Sequence, residues 1–179
     1  MEILAISGSV DTGSYNTALL HTVARLAPEH IKLSVFDLLQ NIPAFVPGSD
    51  EEAIPGAVHL LMAKIKAADG VIISTPEYAH GIPGALKNAL DWLVATDVMV
   101  LKPVLVTSVS TSGLGGIRAH NALILVLSAM NANVVVDGSL NVPYAKIKFD
   151  EALNLSDMIT AKAIGVSLLA LERAINTAV

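Results

Sequence analysis

Three short stretches hold most of the residues able to do chemistry. The first is Ser7-Gly8-Ser9-Val10-Asp11-Thr12-Gly13-Ser14-Tyr15-Asn16, dense in glycines and hydroxyls. Glycine lets a backbone approach an anion closely. The helix expected to follow offers unpaired N–H groups and the positive end of a dipole. Ser9, Thr12, Ser14 and Asn16 add side-chain donors, so the stretch suits a phosphate monoester. Gly8 and Gly13 have Walker A spacing but no Lys follows, and the stretch is not G-x-G-x-x-G either. A helix cap with turn glycines is the plainer reading of the same residues.

The second stretch opens Thr75-Pro76-Glu77-Tyr78-Ala79-His80-Gly81-Ile82-Pro83-Gly84 and runs on to Trp92. It sets a Glu, a Tyr and a His within four residues, on a path held by two prolines and two glycines. A rigid loop with mixed polar and aromatic groups suits a planar ligand; a stiff turn with Tyr78 packed and His80 solvated is the alternative. Lys87 and Asp91 have the spacing of a surface helix pair, worth a few tenths of a kcal/mol. The third stretch, Ser110-Thr111-Ser112-Gly113-Leu114-Gly115-Gly116-Ile117-Arg118, has three glycines in four positions. That density suits close approach of backbone to a ligand, or else a flexible surface turn.

These stretches need a frame that brings them together. Short apolar runs predict strands at Glu2–Ile6, Ile31–Phe36, Val71–Thr75, Val104–Val109 and Asn133–Val136. Helical spacing predicts helices at Thr17–Ala27, Ala57–Ala68, Ala85–Val94, Ile117–Met130 and about Ser156 to Asn176, with a proline-bearing loop over Asp37–Pro55. Strands alternating with helices imply a parallel sheet covered on both faces. In a doubly wound sheet the ligand lies at the carboxyl ends of the strands, so the loops after strands 1, 3 and 4 form the expected site. No repeat or linker divides the 179 residues, and one domain over 1–179 is expected.

Composition narrows the function. The chain has no cysteine, which removes disulfides, thiolate metal sites and thiol catalysis, so any redox chemistry needs a bound cofactor. A net charge of −5 without clustered Lys and Arg argues against nucleic acid as a partner. Asn121 and Lys162 interrupt the two longest apolar runs and the N-terminus lacks a basic leader, so no membrane span or signal peptide is expected and the cytoplasm is the default location. No G-x-S-x-G elbow is present, and His21, His30, His59, His80 and His120 form neither a triad context nor H-E-x-x-H, so a hydrolase and a metal site are disfavoured. An apolar share of 53% suits a large core, an oligomer interface or both.

Over essentially its whole length the sequence resembles the NAD(P)H-dependent FMN reductases of the flavodoxin-like superfamily, which include quinone, azo-dye and chromate reductases. Gly8-Ser9…Ser14-Tyr15-Asn16 is similar to their G-S-x-R-x-x-S-x-N loop. Thr75-Pro76-Glu77-Tyr78 and Pro83-Gly84…Leu86-Lys87-Asn88…Asp91-Trp92 match their T-P-E-Y-N…P-G-x-L-K-N-x-x-D-W segment. The resemblance implies an α/β flavodoxin-like three-layer sandwich with a five-stranded parallel sheet in the order 2-1-3-4-5. It implies hydride transfer from NAD(P)H to bound FMN, then reduction of free flavin, a quinone, an azo compound or a metal ion. A flavodoxin-like electron carrier without turnover is the alternative.

By position, the resemblance places Ser9, Ser14, Tyr15 and Asn16 at the FMN phosphate. It sets Pro76, Glu77 and Tyr78 along the ribityl chain and ring, and Ser110, Gly113, Gly115 and Gly116 at the pyrimidine end. It names no catalytic side chain, and it implies a homodimer or homotetramer. Two positions depart from the pattern: Asp11 stands where the family has Arg, and Ala79 where it often has Asn. An anion in place of a cation beside the phosphate implies weaker, more exchangeable FMN.

Overall fold

The computed structural model describes residues 1–48 and 54–178. Six strands form one sheet: β1 (Glu2–Ser7), β2 (Lys32–Phe36), β3 (Gly70–Thr75), β4 (Pro103–Val109), β5 (Asn133–Val134) and β6 (Leu140–Val142). The helices are α1 (Tyr15–Leu26), α2 (Gly56–Ala67), α3 (Gly84–Val94), α4 (Ile117–Ala129), α5 (Ala145–Lys148) and α6 (Met158–Thr177). The strand order is β2-β1-β3-β4-β5, all pairings are parallel, and β6 also pairs with β4. This is the flavodoxin-like order expected from the sequence.

Alternation along the strands makes three layers. Leu4, Ile6, Val71, Ile73, Val104 and Val106 face one way and are buried with Leu61 and Ile65 of α2, Leu86 and Leu90 of α3, and Leu123 and Leu127 of α4. Ile3, Ala5, Ile72 and Leu105 face the other way, against Leu19, Leu20 and Val23 of α1 and Ile164, Leu168 and Leu171 of α6. Each such Leu or Ile contributes about 1.5–3 kcal/mol by leaving water. β1, β3 and β4 are covered on both faces, which is why their runs read as apolar throughout.

Two expectations change. The fifth strand was expected over Asn133–Val136, but it stops at Val134. The chain then makes a short 3₁₀ turn at Val136–Gly138 and rejoins the sheet as β6. Gly138 lies so close to Leu105 and Ala170 that a Cβ there would meet each at 2.9 Å. The chain here is packed closely against both β4 and α6 before it rejoins the sheet. The short α5 between β6 and α6 was also not expected. Within the expected loop Asp37–Pro55, residues 39–41 form a 3₁₀ turn, and residues 49–53 lie outside the described residues.

Candidate functional site

The loops after β1, β3 and β4 meet at the carboxyl edge of the sheet and enclose a cleft of ≈ 240 Å³. Ser9, Ser14, Tyr15, Asn16, Pro76, Glu77, Tyr78 and Ser110 line it, together with Asp11, Gly13, Val109 and Thr111. Of the residues the resemblance singled out, Gly113, Gly115 and Gly116 do not line it.

In the first loop, the chain's own groups take up several of the donors. Gly8 donates its N–H to the Ser74 carbonyl at 2.8 Å, an approach so close that a Cβ would strike Leu86 and Ser74. Ser14 caps α1: its hydroxyl oxygen accepts the N–H groups of Asn16 at 3.2 Å and Thr17 at 3.5 Å. The Asp11 Oδ1 accepts the Gly13 N–H at 3.0 Å, and the Ser9 hydroxyl oxygen accepts the Asp11 N–H at 3.2 Å. Asn16, only 2% exposed, turns its amide inward to Val109 and Ser74. It thus holds the loop in place beneath the cleft. Tyr15 opens α1, so its N–H has no partner within the helix.

The second loop closes as a tight turn. Tyr78 and Gly81 exchange N–H···O=C bonds at 3.0 Å each, with Ala79 and His80 between them at φ of 49° and 62°. Asn favours that left-handed region and Ala does not. This is a backbone reason for Asn at position 79, separate from any contact with a ligand. Tyr78 is 52% exposed, so an aromatic face stands open at the cleft.

Glu77 does something the sequence did not show. Its Oε2 accepts the Arg118 N–H at 3.0 Å and the Ala119 N–H at 3.4 Å, and its Oε1 lies 3.3 Å from both Arg118 Nη1 and His80 Nδ1. The carboxylate therefore caps α4 and ties the second loop to the third. Burial pushes its pKa up, but the bonds from His80, Ala119 and Arg118 outweigh that and hold it below the ordinary 4.5.

In the third loop the glycines accommodate the chain itself. A Cβ on Gly113 would sit 2.6 Å from the Tyr144 hydroxyl, and one on Gly115 3.1 Å from the Pro143 nitrogen. Gly115 and Gly116 have φ of +60° and +79°. Ser110 and Ser112 are fixed to β6 and the residues after it: Ser110 N–H donates to Val142 O at 3.0 Å, and Tyr144 N–H donates to Ser112 O at 3.1 Å. The unexpected β6 and α5 are thus what hold this side of the cleft.

The Pro83–Trp92 segment also acts at a distance from the cleft. Asn88 accepts the Phe45 N–H at 2.8 Å and donates to Pro43 O at 2.9 Å, where Trp92 Nε1 donates as well, also at 2.9 Å. These two side chains anchor the loop after β2. Lys87 and Asp91 form the expected surface ion pair.

A helix N-terminus with hydroxyls at one end and an open tyrosine at the other fit a ligand with an anionic tail and a flat ring. Among the described residues no group of three or more His, Cys, Asp or Glu could hold a metal ion, and no helix is long and apolar enough to cross a membrane.

The sheet order and the cleft at its carboxyl edge define a flavodoxin-like protein. The fold is shared with a solved flavoenzyme NAD(P)H:(acceptor) oxidoreductase, FerB, from Paracoccus denitrificans, at a TM-score of 0.86 and 22% identity over 98% of this chain and 97% of that one. More narrowly, the chain belongs to the NADPH-dependent FMN reductase family, whose model matches residues 1–146. It is 33% identical over 138 residues to a quinone reductase of Escherichia coli, covering 75% of this chain and 73% of that protein. It is 34% identical over 172 residues to an NADH-dependent flavin reductase subunit 2 of Lactobacillus johnsonii, covering 92% and 90%. Membership makes this chain an NAD(P)H-dependent oxidoreductase with FMN as its flavin.

Proposed function

We propose that this cleft is where the flavin binds, and that the protein takes hydride from NAD(P)H and reduces a small molecule: free flavin, a quinone, an azo compound or an oxidised metal ion. One observation carries the reading. Three loops far apart in sequence converge on a single cleft with a helix N-terminus and an exposed aromatic ring. FMN, when bound, supplies the hydride chemistry that no side chain of this cysteine-free sequence provides.

In this reading the Tyr15 N–H and the hydroxyls of Ser9 and Ser14 hold the phosphate, and Asn16 keeps their loop in position. Pro76 and Tyr78 line the ribityl chain and ring, while Glu77 orients their turn through its bonds to α4. Ser110 and Thr111 lie at the pyrimidine end, on a turn shaped by Gly113, Gly115 and Gly116. Relatives named quinone reductase and NADPH azoreductase support the class of acceptor. The protein works as one domain over 1–179, as a homodimer or homotetramer, in the cytoplasm. Exposed Leu125, Ile147, Ile159, Val166 and Leu169 supply the apolar surface that assembly buries.

The test is anaerobic titration of the FMN-loaded protein with NADPH and NADH, followed by a quinone. Bleaching of the flavin absorbance and its return on adding the quinone are expected. Failure of both nicotinamides to bleach it overturns the proposal.

A further inference from the structure

We propose that Asp11 sets flavin selectivity, so that the cleft takes riboflavin, the flavin without a terminal phosphate, about as readily as FMN. This rests on the cleft being the flavin site, as proposed above.

The charges around the cleft carry the argument. Its charged lining residues are Asp11 and Glu77, and no Lys, Arg or His lines it among the described residues. Glu77 has Arg118 and His80 beside it. Asp11 is in no ion pair among the described residues. Its carboxylate is folded back onto its own loop, where Oδ1 accepts the Gly13 N–H. The loop thus carries an anion of its own, seated on one of the donors that a phosphate would use. His21 and Arg25 line the groove on the other side of this loop, and Arg25 Nη2 donates to Thr22 Oγ1 at 3.0 Å.

A phosphate monoester brings about −1.5 to −2 charges at neutral pH. It gains the dipole of α1 and its hydroxyls, and it loses through repulsion by Asp11 and through competition for the Gly13 N–H. Riboflavin forgoes both the gain and the loss, while keeping the ring and ribityl contacts. The advantage that a phosphate normally confers is therefore largely cancelled here. Mobile salt screens an exposed charge such as Asp11, which gives the effect a second signature.

The experiment titrates FMN and riboflavin separately against the wild type, Asp11→Asn and Asp11→Arg, by quenching of flavin fluorescence, at low and high KCl. Asn retains an Oδ1 acceptor for the Gly13 N–H, so only the charge is removed. For the wild type, the two dissociation constants should agree within about tenfold. FMN affinity should hold or rise with KCl. Asp11→Asn should tighten FMN about fivefold to tenfold and Asp11→Arg by more, with riboflavin unchanged in both, and FMN affinity in Asp11→Arg should fall with KCl. A wild type that binds FMN more than about a hundredfold tighter than riboflavin overturns the inference and leaves the flavin site standing. So do substitutions that shift the two ligands equally or not at all. If neither ligand binds any of the three proteins, the flavin site falls, and the inference with it.

Discussion

Asn16 and Val109 clasp each other through two reciprocal bonds. Asn16 Nδ2 donates to the Val109 carbonyl at 3.0 Å, and its Oδ1 accepts the Val109 N–H at 3.0 Å. The same Oδ1 accepts the Ser74 hydroxyl at 2.9 Å. One amide at the start of α1 thus fixes the ends of β3 and β4 relative to the loop after β1. Asn16→Ala leaves three buried polar groups without this partner. It should destabilise the protein by about 2–4 kcal/mol in urea unfolding. Any folded fraction should bind FMN more weakly, because the Asn16 amide bonds to Val109 and Ser74 hold the loop after β1 in place. Unfolding unchanged from the wild type would show that the clasp contributes nothing.

Glu77 predicts a pH dependence. Its folded pKa lies below the ordinary 4.5, so its contribution is complete above that value and is lost as pH falls through the folded pKa. Wild-type stability should therefore decline as pH drops below about 4.5, and Glu77→Gln should show a shallower decline over the same window. At neutral pH the substitution should cost about 1 kcal/mol, because an uncharged amide caps α4 less well. Thermal melts of the two proteins across the acid range check this, and parallel curves would argue against it.

Ala79 sits at a φ of 49° without the freedom of glycine or the local bonding of asparagine. Ala79→Gly and Ala79→Asn should each stabilise the protein by about 0.5–1 kcal/mol, seen as a rise in Tm. Ala79→Val should lower it by at least as much, since a β-branched residue tolerates this region worst.

The Asn88 and Trp92 contacts give a test of separable roles. Asn88→Ala removes its bonds to Phe45 and Pro43 and should cost about 1–2 kcal/mol. Trp92→Phe gives up the Nε1 donor while keeping an aromatic ring beside Phe45, and should cost less than about 1 kcal/mol. Flavin affinity should be unchanged in both, because neither side chain lines the cleft. A loss of FMN binding in Trp92→Phe would bring the segment back into the site.

What the sequence revealed and what it hid have a common physical basis. β1, β3 and β4 are buried on both faces, so uninterrupted apolar runs announced them, and parallel connections then put three loops at one edge. Leu140-Asn141-Val142 is too short for any periodicity to emerge, yet it pairs with Thr107–Val109 and supports the third loop. Partnerships such as Glu77 with Arg118, or Asn16 with Val109, span long stretches of chain and leave no local signature. The glycines of the third loop were legible as a place of close approach. That they are approached by Tyr144 and Pro143 was visible only in the fold.

The division of the fifth strand has a consequence for solubility. β4 pairs with β5 only at Pro103 and Val104 and with β6 only at Thr107–Val109, and between those pairings the chain makes the 3₁₀ turn at Val136–Gly138. The outer border of the sheet is therefore two stubs of two and three residues. A stranger's strand seeking to extend the ladder meets no straight run of free amides long enough to template it, so this flank resists the edge-to-edge joining that leads to aggregates.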